Sequence, residues 1–146
     1  MEAPCYGSTV DTADRLRILA DLEPILESVD ADFGHWDGSP PVDGVLHLPY
    51  YVFGPTADAV RAAVGRGGWI VTGFDWMTWL QTEEGAALRD RPEAVASATV
   101  HDLARLLTAI VRSDRFVEGS LAGAFESGLL TRIAQRAATL LAETHV

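Results

Sequence analysis

The 146-residue chain carries 21 acidic side chains against 11 arginines and no lysine, a net charge of −10, and nearly half of its residues are apolar. That composition argues against disorder and fits one domain able to bury a core without covalent staples. The single cysteine, Cys5, offers neither a disulfide framework nor a cysteine-based zinc site, and the acid excess disfavours general DNA or RNA binding.

The charge is unevenly spread. Residues 1 to 50 hold ten Asp/Glu against Arg15 and Arg17, a net of −8, while residues 51 to 98 stand at −2 and residues 99 to 146 at 0. An acidic first third favours a basic partner by long-range attraction, and in the extreme it could imitate nucleic acid in a host-virus conflict. The absence of lysine reads as genome composition or mild salt adaptation. No basic segment followed by an apolar run opens the chain, so no signal peptide is expected. The longest uncharged stretch, Gly44 to Ala57, is too short to span a bilayer and contains two prolines. A cytoplasmic protein that does not enter the membrane is the expectation.

Residues 1 to 10 read as a loose leader. From Thr12, Leu16, Leu19, Leu22, Leu26 and Val29 recur at helical spacing, with Pro24 set to kink this helix or restart it. Asp30 to Asp43 is a loop rich in Gly, Pro and Asp. Short strands are expected near residues 45–48 and 69–72, pairing with each other, and a helix between them begins at Pro55 and ends at the glycines after Val64. Asp75 is placed to cap a helix that buries Trp76, Trp79 and Leu80 together and fades near Arg89; Pro92 opens a short turn or helix.

Thr99 and Asp102 then form a capping-box-like pair ahead of the strongest pattern in the chain. Val100, Leu103, Leu106, Leu107, Ile110 and Val111 make one apolar stripe, and His101, Arg105, Thr108 and Arg112 lie opposite it. Gly119, Gly123 and Ser127, with Ser120, Ala124 and Gly128, form stripes of small residues that would admit a close helix crossing. A last amphipathic helix runs from Leu129 through Leu141, with Arg132 and Arg136 on its polar side. The expected fold is a single, mainly α domain of five or six helices, with a possible two-stranded β element, centred on the pair formed by residues 99–113 and 118–127.

The run Leu107-Thr108-Ala109-Ile110-Val111-Arg112-Ser113-Asp114-Arg115-Phe116, followed by Glu118-Gly119 and Ala124-Phe125-Glu126-Ser127-Gly128, resembles a prokaryotic family catalogued as domain of unknown function 6508. Leu48-Pro49-Tyr50-Tyr51, Gly68-Trp69-Ile70 and Phe74-Asp75-Trp76 with Trp79 carry the resemblance further, over about residues 44 to 142. The resemblance implies a helical domain and brings no activity with it.

Three groups of residues could carry function. The first is Thr108, Arg112, Asp114, Arg115 and Glu118, where two guanidinium forks at one helix end could hold an anion or a partner. The same residues have a purely structural use, the arginines complementing the helix dipole and the carboxylates pairing with them or capping the next helix. The second, His35, Asp37, Asp43 and His47, offers acceptable metal-ligand types at a spacing that matches no helix-borne motif, so no metal site and no cofactor is assigned. The third is aromatic: Tyr50, Tyr51, Trp69, Phe74, Trp76 and Trp79 mostly serve packing, with Tyr50, Tyr51 and Trp76 as candidates to line a groove. Neighbouring Glu83 and Glu84 diverge by about 100° on a helix and do not make a catalytic pair. The serines have no nucleophile-elbow context, and Gly65-Arg66-Gly67-Gly68 lacks a nucleotide-binding pattern. The expectation is a non-enzymatic module that binds a protein partner; the rival is a small enzyme or ligand-binding domain clamping an anion between Arg112 and Arg115, with Asp114 or Glu118 as base.

Overall fold

A computed structural model describes residues 11–38, 44 and 48–144. Among them the chain forms α1 (Thr12–Ala20), α2 (Leu22–Glu27), β1 (Gly34–Asp37), β2 (Tyr50–Phe53), α3 (Pro55–Arg66), α4 (Trp76–Leu80), α5 (Glu83–Asp90), α6 (Pro92–Val95), α7 (Val100–Ser113), α8 (Ser120–Glu126) and α9 (Leu129–Thr144). The fold is mostly helical with one short two-stranded antiparallel sheet. None of the described helices is long and apolar enough to cross a membrane.

The helical segments exceed the expected five or six because two expected helices are each divided. Residues 12–29 break at Asp21, and α2 restarts with Pro24 in its first turn, where its missing N–H costs no helix bond. Residues 76–89 break after Gln81; Thr82 caps the second piece by accepting from the Gly85 N–H.

The strands also differ from expectation. β1 pairs with β2 in the register Gly34↔Phe53 through Asp37↔Tyr50. Residues 69–72 form no strand, Leu48 lies outside β2, and residues 45–47 fall outside the described residues. The apolar run at Trp69 reflects burial rather than pairing. Trp69 is fully buried beneath the Arg15 guanidinium, which sits 4.3 Å from the ring centroid and donates from Nε to the Gly67 carbonyl at 2.9 Å.

The core is continuous from α1 to α9. The broadest helix–helix contact is between α1 and α9, not between α7 and α8. α7 is nonetheless the most enclosed helix: Leu103, Ala104, Leu106, Leu107, Thr108, Ala109 and Ile110 are all buried. Each of its large aliphatic side chains contributes about 1.5–3 kcal/mol of burial. Its start is fixed by the capping box, with Thr99 Oγ1 accepting from the Asp102 N–H and Asp102 Oδ2 from the Thr99 N–H, both at 3.0 Å.

The small residues of α8 serve turns more than helix crossing. Gly119 takes φ +99° at the N-cap and Gly128 takes φ +85° between α8 and α9. Gly123 is exposed, and a Cβ there would meet nothing within 4 Å. Arg136 is not a simple surface residue either, since its Nε donates to the Ala98 carbonyl at 2.8 Å.

Candidate functional site

The turn between α7 and α8 is held from its backbone. Amides of Arg115, Phe116 and Val117 donate back to the carbonyls of Arg112 and Ser113, closing the C-terminus of α7. Asp114 Oδ1 reaches forward, accepting from the Gly119 N–H at 3.2 Å and the Leu121 N–H at 3.0 Å, and so caps α8 from outside it. Glu118 Oε2 accepts from the Tyr51 N–H at 2.8 Å, tying the outer edge of β2 to the turn. The carboxylates expected to pair with the arginines are therefore engaged by backbone N–H groups. Neither Arg112 nor Arg115 makes an ion pair among the described residues.

Thr108 is not on the surface. It is 1% exposed, its Oγ1 donates to the Ala104 carbonyl at 2.8 Å and accepts from the Val71 N–H at 2.8 Å. A β-branched hydroxyl at this position satisfies one backbone donor of the strand-like segment after Trp69, which otherwise lacks a ladder partner. Thr108 braces that segment.

Aromatic side chains flank the turn on two sides. On one side Trp36 sits against Gly119, where a Cβ would approach the ring to 2.6 Å, and packs edge-on with Tyr51 at 5.3 Å between centroids. Beside them the Tyr50 hydroxyl donates to Asp37 Oδ2 at 3.1 Å, and that bond and the adjacent charge raise its pKa. Burial, followed by the carboxylates of Glu126, Asp32 and Asp114, raises that of Tyr51. On the other side Trp76 leans over Phe116, with ring centroids 6.0 Å apart. Trp76 and Leu80 are also partly buried against the core that contains Trp79, which packs on Phe74.

The turn carries exposed apolar side chains: Phe116 is 74% exposed and Val117 65%, and Met77, next to Trp76 in sequence, is 54% exposed. Tyr50, Tyr51 and Trp76 were legible as groove candidates without a place at this turn, and Trp36, Met77 and Phe116 were not singled out as exposed. The available signal was an aromatic residue in an otherwise acidic, glycine-rich stretch (Trp36) and one breaking the polar turn after α7 (Phe116).

A cleft of about 330 Å³ opens between α7 and residues 71–76, with Gly73, Asp75, Trp76, Thr108 and Arg112 in its walls. Arg115 does not line it. Asp75 Oδ1 and Oδ2 accept from the Thr78 N–H at 3.1 Å and the Thr78 hydroxyl at 2.8 Å, which caps α4 and holds the carboxyl below its ordinary range.

Of the remaining candidates, His35 and Asp37 lie on β1, while Asp43 and His47 fall outside the described residues. Among the described residues no three His, Cys, Asp or Glu side chains gather closely enough to hold a metal ion. Glu84 takes the Trp79 Nε1–H at 3.2 Å and an Arg105 guanidinium N–H at 3.4 Å, a structural link between α5 and α7.

A family model with the description "Family of unknown function (DUF6508)" matches residues 11–143. The match reaches further toward the N-terminus than residues 44–142, in keeping with the docking of α1 on α9. No curated protein and no solved structure matches the chain.

Proposed function

The chain belongs to the DUF6508 family, whose function is unknown, and from that premise we propose that it is a non-enzymatic protein-interaction module whose docking surface is the turn joining α7 to α8. The observation that carries the reading is the company kept by Arg112 and Arg115. The helix end and turn that carry these two guanidinium groups, which no described carboxylate neutralises, also present exposed Phe116 and Val117, with Trp36 against Gly119 and Trp76 against Phe116. Aromatic residues and arginine are the side chains that dominate binding energy at protein interfaces, and exposed apolar patches with a polar rim mark such sites. The acidic N-terminal helices and the arginine pole together would orient an approaching partner.

The anion-clamping enzyme is the weaker reading. Asp114 and Glu118, its two candidate bases, are each already engaged as acceptors of backbone N–H bonds.

A photo-cross-linking side chain placed at Phe116, with another at the exposed Arg132 of α9 as control, tests the surface in extracts of the native cell. A discrete adduct is expected at position 116 alone, and Trp76→Ala should reduce its yield. No adduct at position 116, or the same adducts from both positions, would refute the assignment of this surface.

A further inference from the structure

We infer that the cleft beside α7 is a carboxylate-binding site in which Arg112 receives an acidic side chain of the protein partner. The inference rests on the docking surface proposed above and specifies what that surface recognises.

The observation is a comparison within the chain. Four arginines are half-buried among the described residues, and three of them have acceptors. Arg15 donates to the carbonyls of Gly67 and Gly68, Arg136 to that of Ala98, and Arg105 pairs with Glu84 and Asp102. Arg112 alone has neither a carboxylate nor a carbonyl partner among these residues, and it is the one that lines a cleft. Exposed Arg66, Arg91, Arg115 and Arg132 also make no ion pair among the described residues, so what sets Arg112 apart is that it is half-buried and lines a cleft with room for an acceptor from outside.

The cleft's walls select among anions. One guanidinium lines it, presenting a fork matched to a planar carboxylate. Asp75 lines it too, with its negative charge fixed by the Thr78 donors. The single guanidinium balances the one charge of a carboxylate but not the about −1.5 to −2 charges of a phosphate monoester, and Asp75 adds to that excess. The volume of about 330 Å³ is at the small end of ligand clefts, about 300–1,000 Å³, which suits one side chain rather than a large metabolite. Trp76 gives its methylene groups an apolar wall, and the Thr108 to Val71 bond keeps the cleft formed before the partner arrives. The negative end of the α7 dipole does not cancel the site. The carbonyls of Arg112 and Ser113 are already occupied by the amides of the turn.

The probes for the test are N-acetylglutamate α-amide, its neutral glutamine counterpart and inorganic phosphate, titrated into the full chain while the Arg112 Nε–H resonance is followed by NMR. Saturable shifts are expected with the glutamate probe, with affinity at least about tenfold above the other two. Arg112→Gln should abolish them and Arg112→Lys should retain part, with the amide spectrum confirming that both variants fold. Equal response to the glutamine probe, or binding that survives Arg112→Gln, would overturn the carboxylate site. The position-116 adduct separates this failure from that of the surface: an adduct with no carboxylate selectivity leaves the surface and removes the cleft's role. Carboxylate selectivity without any adduct would likewise overturn the partner as its source, leaving a small-molecule carboxylate site.

Discussion

Replacing Thr108 by valine keeps the shape of the side chain and removes only its hydroxyl, so it separates a brace from a contact residue. In the folded chain that hydroxyl accepts the Val71 N–H at 2.8 Å and donates to the Ala104 carbonyl at 2.8 Å. The Ala104 carbonyl sits within α7 and keeps its place in the helix ladder, so its loss counts for little. The Val71 N–H has no substitute, and an orphaned, partly buried donor costs about 1–3 kcal/mol. The new methyl group returns at most about 0.8 kcal/mol of apolar burial, leaving a net loss of about 0.2–2 kcal/mol. For a chain of this size that lowers Tm by up to about 8 °C. Denaturant unfolding gives the free energy, and amide hydrogen exchange at Val71 should accelerate more than at Leu106 in the helix beneath it. Thr108→Ser, which keeps both bonds, should leave the Val71 amide protected. A Thr108→Val protein with unchanged stability and unchanged Val71 exchange would refute the bracing role and return Thr108 to the surface reading.

The glycines of α8 should respond in opposite directions. Gly123→Ala places a Cβ in open space within a helix and should stabilise by about 0.4–1 kcal/mol, whereas Gly119→Ala meets the Trp36 ring at 2.6 Å from a left-handed backbone and should destabilise clearly; thermal melts of the two variants check both signs. Asp114→Ala deprives the Gly119 and Leu121 amides of their acceptor and should cost about 1–2 kcal/mol, measured by urea unfolding, with Asp114→Asn recovering part. Asp75 has a folded pKa below its unfolded value, so the stability it supplies is present above about pH 4 and is lost as pH falls through the folded pKa. The Asp75→Asn chain should therefore show a shallower loss of stability on acidification, and an unchanged acid limb would contradict the Thr78 cap.

The parts of the fold that were legible in the sequence are those whose residues act locally. Thr99 and Asp102 make their reciprocal bonds within four residues, and the stripe from Leu103 to Ile110 is buried because side chains at helical spacing share a face. What was not legible depended on distant backbone. The Val71 N–H finds Thr108 across 37 positions, and Glu118 finds the Tyr51 N–H across 67. An isolated sequence pairs Glu118 most readily with the nearby arginines, since opposite charges are visible and a strand-edge donor is not. The same blindness assigned Trp69 to a strand, since an apolar run beside glycine reads identically whether a sheet or a helix and a guanidinium enclose it.

The assignment of the carboxylates explains why the arginine pole can remain charged. Had Asp114 and Glu118 paired with Arg112 and Arg115, the turn would have been neutral on its surface but unsupported beneath, with the first amides of α8 and the edge of β2 lacking acceptors. Because those amides take the carboxylates, one set of bonds does two things: it ties down the backbone from Ser113 to Leu121, and it leaves the guanidinium groups without a carboxylate partner among the described residues. Phe116 and Val117 are carried outward on that fixed backbone. Binding by such a turn would lose little chain entropy, since the segment is ordered before any partner meets it. That order comes from the carboxylates themselves. Glu118→Gln should therefore loosen the turn and lower the adduct yield at position 116 without adding or removing any exposed aromatic side chain.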